Sequence, residues 1–239
     1  MNSYRLYSQF PAKMRPLASP GVMLCSALLM IVFMTPAQAA VGARQQGPNQ
    51  PYLSPHWVFE FKGGLYYPDL DDYETYYGSD HSTIWALAGA YKITNWLEVG
   101  AELGYTNDDG VGSLPNNSIL GGEVDYTLMP LQIFLNLQYE ASADQLFVPY
   151  AGIGIATAWY KQEISQQSDV TGRSDIGGAA RVGLRLQITN SDRHGANYLS
   201  GDRRLQTYLF LEGQIFSTEV DGIDLGGEAY FLGLRLEFD

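Results

Sequence analysis

The chain has 239 residues, is 46% hydrophobic and 17% charged, and carries a formal net charge of −12 with a single cysteine. That acidic balance argues against nucleic acid as a partner, because phosphate binding needs a basic surface. One cysteine excludes an intrachain disulfide framework.

The first residues read as a targeting segment. Arg5, Lys13 and Arg15 precede an uncharged apolar run from Gly21 to Met34, and Ala37-Gln38-Ala39 supplies a small-x-small cleavage pattern. The run is too short for a spanning helix, and Pro20 and Pro36 flank it. Residues 1–39 are therefore expected to be a signal peptide, with translation starting at Met1 or Met14. Its removal takes away three bases, no acid and the only cysteine, moving the charge from −12 to −15. Residues 40–55, AVGARQQGPNQPYLSP, lack a core pattern and read as a flexible periplasmic leader before a domain over 56–239.

From there the chain alternates apolar and polar residues, the mark of strands with two unlike faces. Eight strands are predicted, over 57–67, 83–93, 96–106, 123–139, 146–160, 176–189, 205–216 and 228–238. In the fourth, the apolar parity flips before Pro130, to Val124, Tyr126 and Leu128, which predicts a bulge at the proline. In every strand, from the first to the last apolar residue of the apolar parity (Tyr230 to Phe238 in the eighth), that parity holds no charge. The opposite parity holds Glu60, Lys62, Glu98, Glu102, Arg181, Arg185, Glu212, Arg235 and Glu237, with glycine and alanine interspersed.

A soluble sandwich and a membrane barrel both divide residues this way, and three features favour the barrel. Aromatic residues gather at both ends of the apolar parity: Trp57, Tyr91, Tyr139, Phe147 and Phe238 at one level, Tyr67, Trp85, Tyr105, Trp159 and Tyr230 at the other. The apolar spans match the length of a tilted membrane strand. Long polar links (68–82, 107–122, 161–175 and 217–227) alternate with short ones (94–95 and 140–145), as outer loops alternate with periplasmic turns. The link 190–204 departs from this pattern in being long. The predicted fold is all-β, an eight-stranded antiparallel up-and-down transmembrane β-barrel.

Three stretches, YKITNWLEVGAELGY (91–105), FVPYAGIGIATAWY (147–160) and the terminal YFLGLRLEF (230–238), give the chain a resemblance to the small eight-stranded outer-membrane barrels, among them the OmpA transmembrane domain, OmpX and OmpW. The resemblance covers roughly 57–239. It implies residence in the outer membrane of a Gram-negative bacterium, among outer-membrane lipids and lipopolysaccharide. It also implies an assembly signal, carried by Tyr230 and Phe238, for the barrel-assembly machinery, although Asp239 follows the aromatic with which the group usually ends. The group includes anchors, adhesins, solute channels and a few enzymes, so activity stays open.

Within such a barrel the nine charged residues are expected to form a lumen ion network, since eight strands leave an interior just wide enough for side chains. Phe134, Phe210, Phe216 and Phe231 share the inward parity and are expected to form an apolar layer that seals the lumen or lines a hydrophobic path. Asp69, Asp71, Asp72 and Glu74 in the first outer link are a weak ligand set for Ca²⁺ or Mg²⁺. Tyr73, Tyr76 and Tyr77 suggest a contact surface, so links 68–82 and 217–227 are the places for an extracellular partner. His81, beside Ser79, Asp80 and Ser82, is the best-placed histidine for hydrolytic chemistry, but His81 and Ser82 are adjacent on a strand and point to opposite faces. The reading is a non-enzymatic barrel without cofactor, structural or adhesive, its lumen plugged by ions. The alternatives are a narrow channel for small or hydrophobic solutes and, more remotely, a lipid-modifying barrel enzyme.

Overall fold

The computed structural model describes residues 56–69, 73–113, 120–141, 145–164, 170–189, 205–220 and 222–238. The expected signal peptide and leader, Asp71, Asp72, the link 190–204 and Asp239 lie outside them. Eight long strands close on themselves: β1 (Trp57–Pro68), β2 (Ser82–Thr94), β3 (Leu97–Ser113), β4 (Leu120–Gln138), β5 (Phe147–Ile164), β7 (Gly177–Thr189), β8 (Gln206–Phe216) and β11 (Gly227–Phe238). Each pairs antiparallel with its neighbour, and β1 on β11 completes the ring. Between these lie a short helix α1 (Tyr73–Tyr77), the strand β6 (Val170–Arg173), and a two-stranded hairpin of β9 (Glu219–Val220) and β10 (Ile223–Asp224). Among the described residues no helix is long and apolar enough to cross a membrane.

Alternation decides which way each side chain points. Along β2 the burial alternates strictly, with Trp85, Leu87, Tyr91 and Ile93 exposed and Ile84, Ala86, Ala88, Ala90 and Lys92 buried. The outer surface is thus apolar and the inner surface mixed, the reverse of a soluble barrel. The aromatic levels fall where the alternation places them, with Trp57 opposite Tyr91 and Phe238 at one end and Trp85 opposite Tyr105 at the other.

Three local expectations are corrected. The expected bulge at Pro130 is absent: β4 keeps one register against β5 from Val124–Ile164 to Gln138–Tyr150. On its other side the ladder resumes in the same register, Leu103–Leu131 and then Thr106–Leu128, across a gap where proline has no N–H to give. Tyr126 and Leu128 therefore share the inward face with Gln132, and it is the interior that turns apolar toward the outer end. Second, most of the expected link 107–122 is strand, since β3 runs to Ser113 and β4 begins at Leu120. Third, the link 161–175 is also largely ordered by pairing. Strand β5 continues to Ile164, and β6 pairs with it from Trp159–Arg173 to Gln162–Val170. Strands β6 and β7 are one path along β5, offset by one residue through a bulge at Ser174–Ile176, since Ala156 pairs with Gly177 but Trp159 with Arg173.

Candidate functional site: the barrel interior

The interior has two storeys. The storey nearer the chain termini and the short turns is polar. Its buried charged residues are five acids, Glu60, Glu98, Glu102, Glu212 and Glu237, and five bases, Lys62, Lys92, Arg181, Arg185 and Arg235. Nine of these are the residues that parity singles out. The tenth, Lys92, is absent from that sequence-based set: it shares the inward parity of β2 but sits at the strand end, where a lysine reads as a rim residue, and it completes the balance of charge.

The ten divide into two electrically balanced groups. In the lower one Arg235 is the hub. Its Nη1 donates to Glu60 Oε1 at 2.6 Å, its Nε to Glu237 Oε1 at 2.6 Å, and its Nη2 to Glu98. Lys92 Nζ donates to Glu237 at 2.5 Å and, at 2.9 Å, to Glu140 just past the end of β4, whose side chain is as covered as that of Lys92. Arg185 stands 3.5 Å from Glu98 and 3.8 Å from Glu60 through Nη2, and its Nη1 donates to Gln138. In the upper group Lys62 Nζ donates to Glu102 at 2.6 Å and to Glu212, and Arg181 Nη1 donates to Glu102 at 2.9 Å. Gln132 and Gln214 fill the spaces between, Gln132 accepting from Arg181 at 2.9 Å and Gln214 donating to Glu102 at 3.0 Å. Tyr150 joins the groups: its hydroxyl donates to Glu212 at 2.8 Å while the Arg185 guanidinium lies 4.0 Å over its ring.

Such pairing is what burial demands. An ion taken out of water loses several kcal/mol of solvation, and only close opposite charges and hydrogen bonds offset this. Glycines make the room. A side chain at Gly183 would run into the Tyr150 ring, and one at Gly233 into the Phe210 ring and the Lys62 stem.

The four phenylalanines are all buried, but they do not form one layer. Phe134 packs with Val58, Ala88 and Ala90 among the charged groups, under the Arg181 guanidinium at 3.9 Å. Phe231 lies 4.4 Å beneath Lys62 Nζ, so these rings serve the cations as π faces. Phe216 and Phe231 belong instead to the upper storey, an apolar cluster with Tyr66, Ile84, Tyr126, Leu128 and Leu225. The parity flip in β4 was the sequence signal for this storey.

Outer connections close over it. Tyr66 Oη donates to the carbonyls of Leu225 and Gly226, 2.9 Å each, and its ring stacks on Phe216. This draws in the β9–β10 hairpin, which turns through Gly222 at φ 83°. Tyr73 on α1 is buried, donates to Asp108 on β3 and packs on Tyr77, which neighbours Tyr126. Burial and then the Asp108 carboxylate raise the Tyr73 phenol above its ordinary pKa. Two of the three loop tyrosines expected to offer a contact surface are thus packed inward; the Tyr76 side chain lies outside the described residues.

Elsewhere, Asp69 is exposed, with its N–H donating to Gly226, and Glu74 is exposed on α1. Among the described residues no three potential ligands converge on a metal position. Asp80 and Ser79 both meet Nδ1 of His81, at 2.7 and 3.2 Å, so the trio is not a relay through the two ring nitrogens. Ser82 points inward and bonds Thr106.

A family model described as outer membrane protein beta-barrel domain matches residues 25–221. The chain belongs to that family. Its outer apolar face is accordingly the face that meets lipid. No curated protein matches the sequence. Similar solved structures include Neisserial surface protein A (11% identity, TM-score 0.47, covering 76% of this chain and 96% of that one). Another is OprG from Pseudomonas aeruginosa (14%, TM-score 0.48, 77% and 96%). A third is Ail of Yersinia pestis (12%, TM-score 0.42, 77% and 99%). In this barrel Tyr230 donates to Glu228 at 3.0 Å and Phe238 pairs with Trp57 at the closing seam.

Proposed function

We propose that this chain is a non-enzymatic structural barrel of the outer membrane of a Gram-negative bacterium, exposed at the cell surface, with its lumen closed by its own side chains. One observation carries the reading: none of the ten lumen charges is more than 4% exposed. A path that admitted water would leave part of those side chains in contact with water inside the barrel. The apolar storey above, with Leu225 seated in it, adds a second barrier. The barrel then contributes an anchored, stiff cylinder, and adhesion or envelope integrity is served by its outer links, 68–82 and 217–227, among lipopolysaccharide and extracellular partners. Planar-bilayer recording on the purified full chain tests this. The expected outcome is no stable unitary conductance and no uptake of small solutes into liposomes above protein-free controls. Defined conductance steps or selective uptake would make it a channel instead.

A further inference from the structure

The seven lysines and arginines among the described residues are unevenly placed. Five are the lumen cations; the other two, Lys161 and Arg173, point outward on the neighbouring strands β5 and β6. Arg173 pairs directly with Trp159, which belongs to the outer aromatic level. Lys161 lies one step further out on the same face of β5, diagonal to Arg173, which places the two residues about 7–8 Å apart. Both cations therefore stand at the boundary between the apolar band and the outer links, side by side, on a chain that is otherwise strongly acidic.

Neighbouring groups give the two different roles. Lys161 pairs with Glu163, and the acids Asp109, Asp125 and Glu163 form an outward row across β3, β4 and β5, one step further from the membrane. Arg173 sits below that row. Its Nε donates to Thr157 Oγ1 at 3.2 Å, and among the described residues it meets no carboxylate. Thr157 also donates to the Ser174 carbonyl, so the bulge orients the guanidinium along the wall of the barrel. An arginine fixed at one edge beside a tryptophan at headgroup depth presents its fork to a phosphate.

We propose that Arg173, assisted by Lys161, is a binding site for a phosphate of a phosphorylated lipid in the outer leaflet. This rests on the outer-membrane placement proposed above, with the long links facing outward, but not on a closed lumen. The full chain is reconstituted in phosphatidylcholine nanodiscs containing a minor fraction of bisphosphorylated lipid A or its dephosphorylated form, with EDTA present to remove divalent bridging through the acidic row. Retained lipid is counted by native mass spectrometry after exchange into detergent. Bisphosphorylated lipid A is expected to be retained over the dephosphorylated form, with R173Q and K161Q each lowering retention, R173Q by about fivefold. Folding of both variants is checked by heat-modifiability in phosphatidylcholine alone. Equal retention of the two lipids, unchanged retention by R173Q, or equal competition by inorganic phosphate would each overturn the site. A conducting barrel that still shows the R173Q loss would overturn the closed lumen and leave the site standing.

Discussion

Arg235 shows how much one interior residue holds. Its guanidinium meets Glu60, Glu98 and Glu237, which come from β1, β3 and β11, and its own carbon chain is fully buried. Replacing it with methionine keeps the approximate volume but leaves three carboxylates facing two remaining bases in a dry interior. Removing one partner of a buried pair costs about 3–5 kcal/mol, so R235M is expected to lower stability by that order, measured by urea unfolding in lipid. A double variant in which Glu98 is also made glutamine should recover part of the loss. Parity alone placed these residues inward because the alternation continues into the lumen. It could not pair them, since partners such as Lys62 and Glu212 lie 150 positions apart in the chain. The part played by Tyr150, which links the two charge groups, has no local signal either: a tyrosine at an inward position looks the same in sequence whether or not a glutamate reaches it.

At the scale of the element, the strands outlast the membrane. Residues 107–113 and 120–122 are mostly Asp, Asn, Gly and Ser across both parities, so they read as loop. They are strand because each ladder supplies backbone partners to the next, which needs no apolar face. Polarity pattern reports what surrounds a strand, and beyond the bilayer both faces meet water or other links. The bulge between β6 and β7 was equally silent, and there a side chain replaces a ladder bond. Ser174 Oγ accepts from the Ala158 N–H at 2.8 Å, and Ser174 is buried. S174A should therefore strand a buried donor and cost about 1–3 kcal/mol in the same unfolding assay, while threonine should retain most of the bond.

For the whole molecule the division of environments is inverted, with lipid outside and ions within. Ile153 lies on β5 midway between the aromatic residues Phe147 and Trp159 and is 69% exposed to the outside. I153R is expected to cost about 2–4 kcal/mol of folding stability in bilayers, although Arg181, paired with Gly152 on the next rung, is tolerated because it faces inward. The period-two pattern, the aromatic levels and the spacing of turns determined the fold by themselves, because in a barrel each strand meets the same two media and repeats the same signal. The same pattern determined which residues enter the lumen. Tertiary structure decided the rest: the pairing of ten charges into two balanced groups, the division of the phenylalanines between storeys, the inward packing of Tyr73 and Tyr77, and the place of Arg173 beside Trp159. These depend on the register between strands and on the bulge at Ser174. Register is set by the closed ladder as a whole, so no single stretch of sequence contains it.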